Sequence, residues 1–185
     1  MRFVRDDGGR GTAGFQGRAG DCVVRALAIA MQRPYADVYR ELAEGNASER
    51  QTKHSGRASG RRTARDGINV RRQWFKEYMG RHGWRWTPTM HIGSGCVVHL
   101  ADGELPMGRL IVSVSRHYTA VVDGVIRDTH DPSERGVTIY SPGSRDVPKG
   151  ARWLENGNGW AYEPKRCVYG YWSKAEPMIG QERPS

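Results

Sequence analysis

Apolar residues recur at two different periods along this chain, and the change of period divides it. In the first half the period is helical. Val23, Leu27, Ala30 and Met31 form one stripe with Cys22, Ala26 and Ile29 beside it, which predicts a helix over 21–32. Arg33-Pro34 ends it, because proline cannot continue the hydrogen-bond ladder. A second stretch, 35–44, turns Val38 and Leu42 inward and is expected to stop at Gly45. Ile68, Trp74, Phe75, Tyr78 and Met79 give a third helical pattern over 68–82, followed by a short strand carrying Trp84 and Trp86. From residue 97 the runs become short and strand-like: 97–100, 109–115, 117–122 and 125–128, with a turn at 105–108. A loop-rich stretch, 132–165, precedes a closing strand at 166–172. Helices first and strands afterwards predict an α+β domain, with N-terminal helices packed on a C-terminal antiparallel sheet.

One turn fixes more than its own geometry. Asp123-Gly124 lies between two β-rich runs and reads as a two-residue hairpin. The register follows: Val122 opposite Val125, Val121 opposite Ile126, Ala120 opposite Arg127, Thr119 opposite Asp128. With a side-chain period of two, His117, Thr119, Val121, Ile126 and Asp128 share a face. His117 and Asp128 then become diagonal neighbours, roughly 7–8 Å apart at Cα, close enough for their side chains to meet.

Composition sets the outer bounds. The chain has 185 residues and 37% hydrophobic content, enough for one domain with a real core. Residues 1–14, polar and glycine-rich, are expected to form a flexible arm, residues 15–173 the domain, and 174–185 a tail. No apolar run approaches the ~18 residues of a membrane span, and the first residues lack the apolar core of a signal peptide. The formal net charge is +9. Much of it sits in a basic loop, 46–67, where Arg57, Arg61, Arg62 and Arg65 are candidate nucleic-acid contacts through phosphate. Nothing in that loop reads bases. The three cysteines, Cys22, Cys96 and Cys167, are odd in number, far apart and without a Cys-x-x-Cys pair. A disulfide framework or structural zinc is therefore not expected, and a cytoplasmic, reducing compartment is.

The candidate chemistry begins where the first helix begins. A glycine-rich loop ends at Asp21, placed as an N-cap, and Cys22 takes the first helical position. There the positive end of the helix dipole favours thiolate, the nucleophilic form. The charge of Asp21 opposes this unless a cation lies nearer. A thiol nucleophile needs a base, and the base an orienting group. His117 can take the proton and Asp128 can fix the imidazole tautomer. Gln16, six residues before Cys22, is a candidate donor to the oxyanion formed on attack at a carbonyl, with the Cys22 amide as the second donor. Cys22, His117 and Asp128 are a poor zinc signal, so no metal or other cofactor is expected.

Gln16, a six-residue step to Cys22 at a helix start, His117 opening a late strand and Asp128 ending the next one together resemble the papain-like cysteine peptidase superfamily. The compact order is similar to its small bacterial and phage members, including the bacteriocin-leader-processing type. The stretch from Gly108 to Thr129, with Cys167 to Trp172, also resembles uncharacterised phage and prophage proteins of that fold. The resemblance covers about residues 15–130 and 166–172. It implies a phage-type cysteine hydrolase acting on peptide, isopeptide or amide bonds, with a protein or peptide substrate, in the host cytoplasm or the virion. A different class of reading stands beside it: a non-catalytic phage accessory or virion protein that binds nucleic acid or a protein partner. Asp21 before the cysteine, Arg116 before the histidine and the basic loop depart from the family pattern.

Overall fold

The computed structural model describes residues 1–48, 63–134 and 136–174. Arg57, Arg61 and Arg62 of the basic loop and nearly all of the expected tail lie outside the described residues. In chain order the elements are β1 (Arg2–Arg5), α1 (Cys22–Met31), α2 (Tyr35–Ser48), a 3-10 turn (Ala64–Asp66), α3 (Gln73–Arg81), β2 (Trp84–Pro88), β3 (Arg109–Val114), β4 (His117–Val122), β5 (Val125–Asp128), β6 (Thr138–Tyr140), β7 (Arg152–Trp153), β8 (Trp160–Tyr162) and β9 (Val168–Lys174). The class is α+β. Six strands form the main sheet in the order β1-β5-β4-β3-β9-β2, and β6-β8-β7 form a small separate one inside the loop-rich stretch.

The centre of the sheet is buried on both faces, which is why β3 reads as an almost unbroken apolar run. Ile111 stands opposite Ala120 on β4 and Trp172 on β9. These three pack against the helices, with Val24, Leu27, Val38, Leu42, Phe75 and Met79. The alternate residues Leu110, Val112, Val121, Ile126 and Val168 form a second core on the far side, covered by Phe3, Val98 and Leu105. Each fully buried Leu or Phe removes enough apolar surface from water to contribute roughly 1.5–3 kcal/mol. The α1 helix is thereby held against β4, and the N-terminal end of that helix meets the end of the strand that His117 opens.

The hairpin register is the expected one: Ala120–Arg127, Val121–Ile126 and Val122–Val125. Asp123 and Gly124 both have positive φ, 49° and 74°, the combination that suits strand twist in a two-residue turn.

Several expectations are corrected. Residues 2–5 are not part of a loose arm. They form an edge strand parallel to β5, pairing Arg2 with Val125 through Arg5 with Asp128, so the sheet is mixed rather than purely antiparallel. Phe3 anchors this strand in the second core. The second helix does not stop at Gly45 but runs to Ser48. Glycine is needed there because a Cβ would lie 2.5 Å from the Trp74 ring, so the residue admits a side chain from another helix rather than ending its own. The third helix starts at Gln73, five residues later than its apolar pattern suggests. Cys96 and Cys167 are joined in a disulfide across 71 residues, with Cα atoms 5.8 Å apart. Chain pairing on either side brings them together: Val168 N–H donates to the Val98 carbonyl at 2.9 Å, and Leu100 N–H to that of Arg166 at 2.7 Å. Cys22 is the free cysteine. Among the described residues, no helix is long and apolar enough to cross a membrane.

Candidate active site

Cys22, His117 and Asp128 converge. His117 Nε2 lies 2.7 Å from Asp128 Oδ2. Register brings these two side chains together, since they stand at the matching ends of β4 and β5. The half-buried Cys22 thiol stands close enough to His117 and to the backbone amide of Tyr118 for both to act on it. With Nε2 committed to Asp128, Nδ1 is the nitrogen left for the sulfur.

The electrostatics follow from these contacts. Burial alone pushes the Cys22 thiol up. The hydrogen bond and charge of His117, the Tyr118 amide and Arg25 outweigh burial, and the net shift is downward. Burial likewise pushes His117 down, but Asp128 and Cys22 overcome it and hold the ring up at about 9. Asp128 feels burial upward and more than recovers it through His117 and the Thr129 amide, which donates at 2.7 Å, so its carboxyl lies below the usual range. Each shift favours the thiolate–imidazolium pair over thiol and neutral imidazole.

Asp21, 1% exposed, does not cap the helix: no side-chain cap bond is present. Its carboxylate is taken by Arg10 Nε at 2.7 Å, by Arg25 Nη1 and by the Tyr35 hydroxyl at 2.5 Å. A buried carboxylate beside two guanidinium groups is drawn to them more strongly than to backbone amides. The cations that offset the charge of Asp21 are thus Arg10 and Arg25, and Arg25 also favours the ionised form of Cys22. Arg25 also stands 3.9 Å from Asp128, linking the carboxylate before Cys22 to the one behind His117. Its placement at i+4 from Asp21 on one helix face was a readable signal. Because Asp21 is engaged elsewhere, the first-turn amides, Cys22 among them, are left without a side-chain cap.

Gln16 is exposed, and its carbonyl accepts from Arg10 Nη2 at 3.1 Å. Arg10 also holds the carbonyls of Phe15 and Gly17, lacing the loop onto Asp21. Gln16 is not among the residues that line the groove beside Cys22. Arg65 is exposed on the 3-10 turn and donates to the Arg18 carbonyl at 3.0 Å, tying that turn to the same loop.

The groove itself has a volume of about 1010 Å³ and runs between the start of α1 and the sheet, with Cys22 and His117 in its wall. His130, exposed, places its ring 4.9 Å from that of His117. Ligand atoms of His117, Asp128 and His130 lie within 4.8 Å of one another, the one such grouping among the described residues. A metal there would have to compete with the His117–Asp128 bond.

No family model, curated protein or solved structure matches this chain. What it does must be argued from the site.

Proposed function

We propose that this chain is a papain-like cysteine hydrolase that cleaves a peptide, isopeptide or amide bond. The observation that supports the reading is the convergence of the Cys22 thiol on the His117 imidazole, itself bonded to the Asp128 carboxylate, with Cys22 and His117 in the wall of a large groove. In the reaction the Cys22 thiolate attacks the substrate carbonyl carbon, forming a C–S bond while the π electrons move to oxygen. The amide of Cys22 at the uncapped helix start is the available oxyanion donor. The intermediate collapses, the C–N bond breaks, and the departing amine takes the proton from the His117 imidazolium. Water then attacks the thioester. His117 accepts its proton, the C–S bond breaks, and the acid product leaves with the thiolate–imidazolium pair restored. Asp128 keeps the ring oriented throughout and carries no proton.

Alkylation by iodoacetamide across pH tests this. Cys22 should react as a thiolate below the ordinary thiol range, and His117→Ala should return it to a free-thiol profile at pH ~8.5. A profile near pH 8.5 in the unaltered protein, with no effect of His117→Ala, rejects the proposal.

A further inference from the structure

The groove is one-sided in its chemistry. Its floor and one wall are aromatic: Trp86 and Trp172 with ring centroids 5.4 Å apart, and Tyr169, 39% exposed, beside them. The charged side chains lining it are Arg71, Lys76 and Arg116, apart from the Cys22–His117 pair, and no Asp or Glu lines it. None of these three cations forms an ion pair among the described residues. Elsewhere the chain pairs its arginines readily: Arg10 and Arg25 with Asp21, Arg33 with Glu41, Arg127 with Asp6.

Arg116 adds a second line of argument. It occupies the two-residue turn between β3 and β4, immediately before His117, with φ of 57°. That region suits glycine or asparagine, and an arginine there costs conformational energy. The strained residue is exposed, lines the groove and stands next to the base. Strain retained at such a place is a pointer to use. Trp172, 6% exposed, also carries an indole N–H with no acceptor among the described residues.

Resting on the hydrolase reading, we infer that the groove selects an acidic–aromatic peptide segment: a bulky aromatic or aliphatic side chain laid on Trp86 and Tyr169, with a carboxylate nearby held by Arg71 and Arg116. Apolar walls supply the contact area. Cations lining a groove, with no counter-ion among the described residues, attract anions and reject basic segments, which is selection by repulsion as well as by attraction.

The test uses the full chain and four acetyl-dipeptidyl vinyl sulfones that pair Trp with Glu or with Lys, in both orders. The glutamyl probes should inactivate Cys22 at least tenfold faster than their lysyl partners at low salt. The ratio should shrink as salt rises, and Arg71→Gln with Arg116→Gln should bring it close to one. Arg116→Glu alone, at an exposed position, should lower or invert it. Equal rates for the two charges, or a ratio that survives the double substitution, overturns the inference. So does inactivation indifferent to peptide charge but blocked by a short oligonucleotide. The ratio of iodoacetate to iodoacetamide rates at pH 9.5, where any thiol is largely ionised, reads the groove's charge independently of the relay. A low-pH iodoacetamide profile with a flat charge ratio leaves the hydrolase standing without this selectivity. An ordinary thiol profile with a raised ratio does the reverse.

Discussion

Asp128→Asn isolates the charge at the back of the relay. The side chain is 3% exposed, accepts from His117 and from the Thr129 amide, and has almost the shape of its amide analogue. Asparagine can still accept from Thr129 but offers His117 no negative charge. In the native protein the ring is held at about 9 against an ordinary 6.5. That lift corresponds to roughly 3 kcal/mol of preference for the charged ring, reached although burial works against it. Asp128 and Cys22 supply it together. If about half goes with the carboxylate, roughly 1.5 kcal/mol is lost, and the thiolate–imidazolium pair becomes about tenfold less favoured. The sign is set by the coupling: a ring less willing to be charged stabilises thiolate less, so the thiol keeps its proton to higher pH. Iodoacetamide rate constants from pH 4 to 10, with the Cys22 adduct quantified by mass spectrometry, should show the acid limb moving up by about one unit. Cys96 and Cys167 are silent while joined. Arg25 keeps Asp21 as a partner, so the variant should remain folded, which a thermal melt verifies. A folded variant whose limb does not move refutes the argument that Asp128 acts on the sulfur through His117.

Three further outcomes are expected. Asp21→Asn leaves Arg10 and Arg25, 15% and 11% exposed, facing an uncharged group, and should cost about 3–5 kcal/mol of stability in urea unfolding; a loss below 1 kcal/mol refutes its role as their counter-ion. Cys96→Ser should lower stability by up to about 4 kcal/mol, given the 71-residue separation that the bridge spans, and should match dithiothreitol-treated native protein while Cys22 still alkylates at low pH. Between pH 6.5 and about 9 the stabilisation from His117, complete below 6.5, is lost as pH rises, while that from the lowered thiol of Cys22 grows, so the two offset one another. Cys22→Ser removes the second contribution and the sulfur's share of the first but leaves the share from Asp128, so urea unfolding at pH 6 and pH 9 should show a loss of stability with rising pH larger than in the native chain; equal losses in the two proteins contradict the pairing.

Local chemistry made part of the site readable from sequence. Asp123-Gly124 sets a turn, the turn sets a register, and the register places His117 and Asp128 within reach, all inside twelve residues. Cys22 was readable as the first residue of a helix whose stripe is unambiguous. What escaped depends on distant partners. Met1 to Arg5 has too few apolar residues to declare a strand, and only β5 makes it one. Asp21 looked like a cap because capping is a local preference, while the arginines that claim it come from either side of the loop. Gly45 carries the signature of a helix end, yet its reason for being glycine is Trp74. The Cys96–Cys167 bridge spans a separation that no spacing rule addresses. The cations of the groove come from α3, from the segment before it and from the β3–β4 turn, so their convergence appears only once the chain is folded.

The position of β9 governs when the groove can first be completed. The last strand of the described chain lies between β3 and β2, not at an edge, and it carries Tyr169 and Trp172. While the ribosome is still adding residues before 168, β2 has no neighbour in the sheet, and Cys22, His117 and Asp128 have been made without Tyr169 and Trp172, which line the same groove. Joining strands so far apart in sequence is slow. The groove is therefore completed last, and a chain cut short before residue 168 would hold the Cys22 sulfur with Tyr169 and Trp172 missing from beside it.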